Sequence, residues 1–279
     1  MADYLSSEKR EAAFVKEHYS QRGNPGFEAV MAERTAIKEG AFFLRHLEPG
    51  MHVLDVGCGP GSITVGFAEA VGSGEVVGVD FQASQVASAQ TMSAARGLNN
   101  ARFEVADAYQ LPFSDASFDA VFAHAVLWHL RFPQRALAEI RRVLRPDGIV
   151  GVRDCDWGGR IYAPATPRLD DWFALTVRIR QHNGGNPFLG RQLRRLLLDA
   201  GFVNLEGSVS AWTAGTQQEL EQCAAFLKAQ LQGFSATALA EGWLDAASVQ
   251  ALTMEIEDWA ARPDAFYLDT YCELLGRVN

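Results

Sequence analysis

The residues best equipped for chemistry are the run Gly57, Cys58, Gly59, Pro60, Gly61 and the acids and histidines that recur after it: Asp80, Asp107, His124 and His129. A glycine-rich turn between an apolar run containing Asp55 and a helical segment lets backbone approach a ligand closely. The start of the helix adds unpaired N–H groups and a partial positive charge. Gly57, Gly59 and Gly61 make a GxGxG pattern, whereas the dinucleotide fingerprint GxGxxG would need glycine where Ser62 stands. Asp80 follows Gly61 by 19 residues and closes a second apolar run, EVVGVD. There its carboxylate can accept two hydrogen bonds from a ribose diol; capping the next helix is the alternative use, although Ser84 is available for that. Asp107 follows a third run, so acids at successive strand ends converge on one crevice. His124 and His129 come just after a fourth run, FDAVFA, as candidate general bases; for each the alternative is a hydrogen-bonded structural histidine.

These residues need a frame that brings strand ends together. Short apolar runs at 53–56, 75–80, 101–105, 118–123 and 149–153 alternate with helical segments, which predicts a parallel sheet covered on both faces. A helix is expected over 27–47, stopped by Glu48, Pro49 and Gly50. Beyond Asp154 the Gly- and Pro-rich stretch 157–167 reads as a substrate-facing insertion. It is followed by helices at 169–181 and 190–200, a strand at 203–209, a mostly helical region at 216–261 and a terminal strand at 265–278. The expectation is an α/β, Rossmann-like, doubly wound and mostly parallel seven-stranded sheet. It divides into an N-terminal helical arm or lid (1–48), a cofactor-binding core (49–210) and a helical cap with a strand completing the core (211–279).

The formal net charge of −9 and a pI of about 5.2 set a mean field that repels phosphate backbones and anionic lipid, so no nucleic-acid or membrane partner is expected. Arg191, Arg194 and Arg195 alternate with leucines and read as the solvated face of a helix. Cys58, Cys155, Cys223 and Cys272 are too scattered to suggest a metal site or a disulfide framework. With no stretch long and apolar enough for a membrane span, the expected location is the cytoplasm, as a monomer or homodimer.

The segments VLDVGCGPGS, VVGVDF, ARFEVADAYQLPFSDASFDAVFAHAVLWHL and RRVLRPDGIVGVRDCDW resemble, in order and spacing, the motifs of class I S-adenosylmethionine-dependent methyltransferases of the ubiquinone/menaquinone-biosynthesis type. The resemblance spans residues 27 to 155 and extends more loosely to 210. RTAIKEGAFFLRHLEPG and GGNPFLGRQLRRLLLDAGF further resemble a bacterial and fungal branch that methylates secondary metabolites, including thiols of epipolythiodioxopiperazines. The resemblance implies S-adenosylmethionine as cofactor and S-adenosylhomocysteine as product. Gly57, Gly59 and Gly61 would then face the methionine part, with Asp55 and Cys58 also among the cofactor-binding residues; Asp80 would meet the ribose and Phe81 the adenine, with Asp107 and the backbone of Ala108 at its amino edge. Ala123 and His124 would border the transferring methyl, and Arg34 would meet the cofactor carboxylate unless it is a solvated helix arginine.

Methyl transfer from a sulfonium is an in-line displacement in which the protein binds, aligns and desolvates. A small-molecule acceptor would meet Tyr19, Trp128, Trp157 and Phe188 as pocket walls, or these are core aromatics; Asp154 and Asp156 would orient the acceptor or cap a loop. The acceptor atom (O, C, N or S) is not specified by these residues. An NAD-linked oxidoreductase and a non-catalytic cofactor-binding protein are the competing readings.

Overall fold

The computed structural model describes residue 19 and residues 21–279. Most of the polar start of the expected N-terminal arm therefore lies outside the described residues. Three short helices come first: α1 (Pro25–Ala32), α2 (Ala36–Glu39) and α3 (Ala41–Leu44). The single helix expected over 27–47 is broken because Thr35 caps a new start. Its hydroxyl accepts from Lys38 N at 3.2 Å while its own N–H donates to Glu39 Oε2 at 2.6 Å. Gly40 then separates α2 from α3 against the Phe67 ring, whose Cζ would stand 3.0 Å from any added Cβ.

The alternating pattern continues with β1 (His52–Val56), α4 (Thr64–Val71), β2 (Glu75–Asp80), α5 (Ala83–Ala95), β3 (Ala101–Val105), β4 (Phe118–His124), α6 (Pro133–Val143) and β5 (Leu144–Ala163). After these come α7 (Pro167–His182), α8 (Leu193–Asp199), β6 (Val203–Ala214), α9 (Gln217–Ala240), α10 (Ala246–Ala260) and β7 (Phe266–Arg277). The strands form one seven-stranded sheet in the order β3-β2-β1-β4-β5-β7-β6. β1 to β5 pair in parallel, and β7 runs antiparallel to both β5 and β6. This is the expected Rossmann-like sheet, with one reversed strand near its edge.

Both faces of the central strands are buried, which is why they read as unbroken apolar runs. Leu54, Val56, Val77, Val79, Val121 and Val152 pack on one face with Leu137 and Ile140 of α6. Val53, Val76, Ala120, Phe122 and Ile149 pack on the other with Phe43 of α3 and Phe67 of α4. Phe122 is fully buried, its ring centroid 5.1 Å from that of Phe43 and 5.0 Å from that of Phe67. Phe122→Leu is therefore expected to cost about 1–2 kcal/mol of stability, read as a lower urea midpoint at unchanged slope.

The segment 157–167 differs most from expectation. β5 continues through it because β7 lies alongside for its full length, from Ile149 opposite Arg277 to Ala163 opposite Phe266, with an irregularity between Asp156 and Ile161. Gly159 permits that irregularity, since a Cβ there would approach Thr270 Oγ1 to 2.5 Å.

Candidate functional site

The carboxyl ends of the parallel strands carry the candidate site. The turn from β1 to α4 places Gly57, Gly59 and Gly61 at φ of +74°, +53° and +81°, a region that strains other residues. It is tied to β2 through Gly57 N and Cys58 N, which both donate to Val79 O at 2.7 and 2.9 Å. A Cβ on Gly57 would overlap Val126 Cγ2, and one on Gly61 would lie 2.7 Å from Ala89 Cβ, so these two glycines allow close packing. Gly59 is different. Among the described residues its missing Cβ would meet only Gln85 Oε1, at 3.9 Å, an ordinary van der Waals distance, so this is the least crowded of the three glycines.

Asp80 closes β2 and braces that turn. Its Oδ2 accepts from Gly59 N at 3.1 Å and its Oδ1 from Gln82 N at 2.9 Å. Burial raises its pKa, against the lowering effect of these backbone donors. Ala106 N donates to Asp80 O at 3.1 Å, which brings the segment with Asp107 and Ala108 beside it; Asp107 Oδ1 accepts from Tyr109 N at 2.8 Å. Phe81 is 46% exposed, and its ring lies 6.2 Å from that of Tyr19. The buried Oε1 atoms of Gln82 and Gln85 have no hydrogen-bond partner among the described residues, while Gln85 Nε2 donates to Glu28 Oε1 at 2.9 Å. An uncrowded Gly59, a braced carboxylate and two orphaned amide oxygens fit a polar, nucleoside-bearing ligand that donates hydrogen bonds.

Asp55 lies beneath the turn, its Oδ2 accepting from Thr64 Oγ1 at 2.6 Å. Burial pushes its carboxyl up to about 7 from 3.8, opposed by the Thr64 bond and reinforced by Asp80. The folded chain thus holds this proton where the unfolded chain has released it. The stability it contributes is fully present below 3.8 and is lost as pH rises to about 7. Asp55→Asn, which cannot titrate, is expected to remove a fall of up to about 4 kcal/mol across that window, about 3 kcal/mol of it between pH 5 and pH 8, where urea unfolding measures it.

The histidines sit at the end of β4 and in the following 3-10 turn, Leu127–His129. His124 is buried, with Nδ1 3.3 Å from Arg153 O and Arg153 Nη1 at 3.4 Å from both ring nitrogens. His129 packs against Tyr19 and Trp128, at centroid distances of 4.9 and 4.8 Å, and Arg180 Nη1 donates to its Nδ1. Burial, then Arg153 for His124 and Arg180 for His129, then Arg34 for both, hold each well below the ordinary histidine value. Both rings are neutral at working pH, and the Nδ1 lone pair of His129 is already used.

Ala123 is fully buried within the sheet. Arg34 is half-buried in the connection between α1 and α2. It exerts its charge on Tyr19, His124 and His129 together, which places its guanidinium toward the same crevice.

Trp128 and Trp157 form an edge-to-face pair at 5.1 Å, and the turn at 183–188 joins them: Asn186 N donates to Trp128 O at 2.8 Å and Trp157 N to Pro187 O at 2.9 Å. Phe188 lies under Arg191, 5.6 Å from its Cζ. Asp156 is bound by Arg191 through Nε at 2.6 Å and Nη2 at 2.7 Å. Asp154 is fully buried and faces the backbone of Val126, Leu127 and Trp128 without closing a normal hydrogen bond, and burial raises its pKa well above the carboxylate range. Its position supports the turn that carries Trp128 and His129.

The sequence reading missed Arg180. Its signal was positional: α7 buries Leu169, Trp172, Phe173, Thr176 and Ile179, and Arg180 falls on the same stripe, where an apolar residue is the norm.

A family model described as a methyltransferase domain matches residues 47–197, more than half of the chain. An uncharacterized methyltransferase of Schizosaccharomyces pombe is 36% identical over 199 residues, 67% of this chain and 71% of that one. The probable methyltransferase ltbC of Aspergillus luteorubrus is 31% identical over 266 residues, 87% and 91% of the two chains. Among solved structures, the cyclase SpnF superposes with a TM-score of 0.52 at 27% identity, covering 90% of this chain and 80% of that one. YcgJ of Bacillus subtilis, at 20% identity, TM-score 0.57 and coverage of 86% and 97%, shares the fold. These matches do not favour the nicotinamide alternative. The chain belongs to the methyltransferase domain family and is an S-adenosylmethionine-dependent methyltransferase of small molecules.

Proposed function

We propose that S-adenosylmethionine binds over the Gly57–Gly61 turn and that a small secondary metabolite enters from the side of Tyr19, Trp128, Trp157 and Phe188. The observation that carries this reading is the turn itself: among the described residues no atom crowds the Cβ side of Gly59, whose N–H Asp80 holds at 3.1 Å. In this assignment Asp80 takes the ribose hydroxyls and Phe81 flanks the adenine, with Asp107 and Ala108 N at its edge. Gly57, Cys58, Gly59, Gly61, Asp55 and the Ala123 and His124 backbone surround the methionine part, and Arg34 meets its carboxylate. Residues 1–48 act as the lid, 49–210 as the core and 211–279 as the cap with the completing strand.

The bound cofactor supplies the activated methyl group. The chain's own residues orient the acceptor and exclude water, with apolar and aromatic walls that lower the local dielectric. Among the described residues no helix is long and apolar enough to cross a membrane. The same reading carries a cytoplasmic location and a monomer or homodimer. That the S. pombe and A. luteorubrus relatives are named methyltransferases supports the activity, and the name O-methyltransferase resE for a third, from Aspergillus sclerotiorum, supports a hydroxylated acceptor. The test is calorimetry: S-adenosylhomocysteine should bind with micromolar affinity and NADH should not displace it. Absence of heat, or displacement by NADH, would count against the reading.

A further inference from the structure

The acceptor side holds a charge that nothing above uses. Arg180 is 5% exposed, and its Cζ lies 4.2 Å from the centroid of Trp128, 5.4 Å from that of Trp157 and 5.7 Å from that of Phe234. Nη1 donates to His129 Nδ1, and Nε has no partner among the described residues. Other buried arginines of this chain are paired: Arg160 with Asp269 at 2.8 Å and Arg153 with Glu273 at 3.3 Å. Among the described residues no carboxylate pairs with Arg180.

A guanidinium taken out of water without a counter-ion is strongly disfavoured, and arginine does not relieve this by losing its proton. Burial brings Arg180 down only to about 10, so it remains a cation at neutral pH. The groups around it do not neutralise it. The Tyr19 hydroxyl is pushed up to about 12 and the Cys155 thiol is raised by burial, so both keep their protons; His129 is neutral and Arg160 is a second cation. Because Arg180 donates to Nδ1, the remaining ring hydrogen of His129 sits on Nε2, which is a second donor. Tyr19 links this corner to the cofactor side, touching His129 at 4.9 Å and Phe81 at 6.2 Å between centroids.

We propose that Arg180, with His129 beside it, is an oxyanion subsite, and that the molecule this enzyme methylates carries an acidic oxygen on a flat ring and is bound as the anion. The ring lies against Trp128 and Trp157, and its proton leaves to solvent on binding, so the neutral histidines are not needed to remove it. This rests on the reading that Tyr19, Trp128 and Trp157 border the acceptor.

The test uses the full chain saturated with S-adenosylhomocysteine and 4-nitrophenol as probe, its ionisation followed by absorbance across pH. The wild-type protein should lower the apparent pKa of the bound phenol by about one unit, a tenfold preference for the anion. Arg180→Met should abolish that preference and Arg180→Lys should keep part of it. Benzoate displacing the probe at comparable concentration extends the subsite to ring-borne carboxylates, and failure to displace restricts it to phenolates; both keep an anionic oxygen carried on a flat ring system. An unshifted probe in the wild-type protein, or phenolate binding as tight in Arg180→Met, overturns the proposal. Calorimetry with S-adenosylhomocysteine separates the two readings. Unaltered cofactor binding in Arg180→Met shows an intact fold and cofactor site, whereas no binding to the wild type sinks the cofactor assignment itself.

Discussion

Asp80→Ala is expected to weaken S-adenosylhomocysteine binding by about a hundredfold or more, roughly 3 kcal/mol for the loss of charge-assisted hydrogen bonds. Two losses combine. The carboxylate no longer meets the ribose, and the turn loses the brace that Asp80 supplies to Gly59 N at 3.1 Å and Gln82 N at 2.9 Å. Asp80→Asn keeps one acceptor oxygen and should fall between the two. Isothermal titration of the three proteins reads this directly, and an alanine variant with wild-type affinity would remove Asp80 from the site.

The largest loss of stability is expected from Gly57→Val. At φ +74° a β-branched residue is strained, and its Cβ would overlap Val126 Cγ2. Backbone strain of about 1–3 kcal/mol and overpacking of about 1–3 kcal/mol together approach half the stability of an ordinary domain. Gly59→Ala separates packing from binding. The residue sits at φ +53° with no non-adjacent atom of the described residues nearer than 3.9 Å to the added Cβ, so it should lose only about 1–2 kcal/mol while cofactor affinity falls further. Thermal melts paired with titrations check both variants. A Gly57→Val protein that melts with the wild type contradicts the packing described here.

Why some of this was legible in the sequence and some was not follows from the range of the forces involved. The turn at 57–61 and the acid at 80 were readable because strand, turn and helix are contiguous and each leaves a local pattern. Thr35 was overlooked as a cap because its partner, Glu39, lies inside a run that already looked helical. The extension of β5 through Gly158 and Gly159 was hidden because its cause, the pairing with β7, comes more than a hundred residues later in the chain. His124 and His129 were named from their position, but their depressed basicity comes from burial and then from Arg153, Arg180 and Arg34 elsewhere in the fold, and no spacing reports that. Arg180 did leave a trace, a charge on the buried stripe of α7, although only the fold shows the tryptophans around it.

Where the cofactor lies is measured most directly by a crystal structure of the full chain grown with S-adenosylhomocysteine. The expected map has the nucleoside in the crevice above residues 57–61, both ribose hydroxyls on the Asp80 carboxylate and the adenine against Phe81. Density for the product elsewhere on the molecule, or a crevice closed by Tyr19 and Phe81 at saturating ligand, would contradict it.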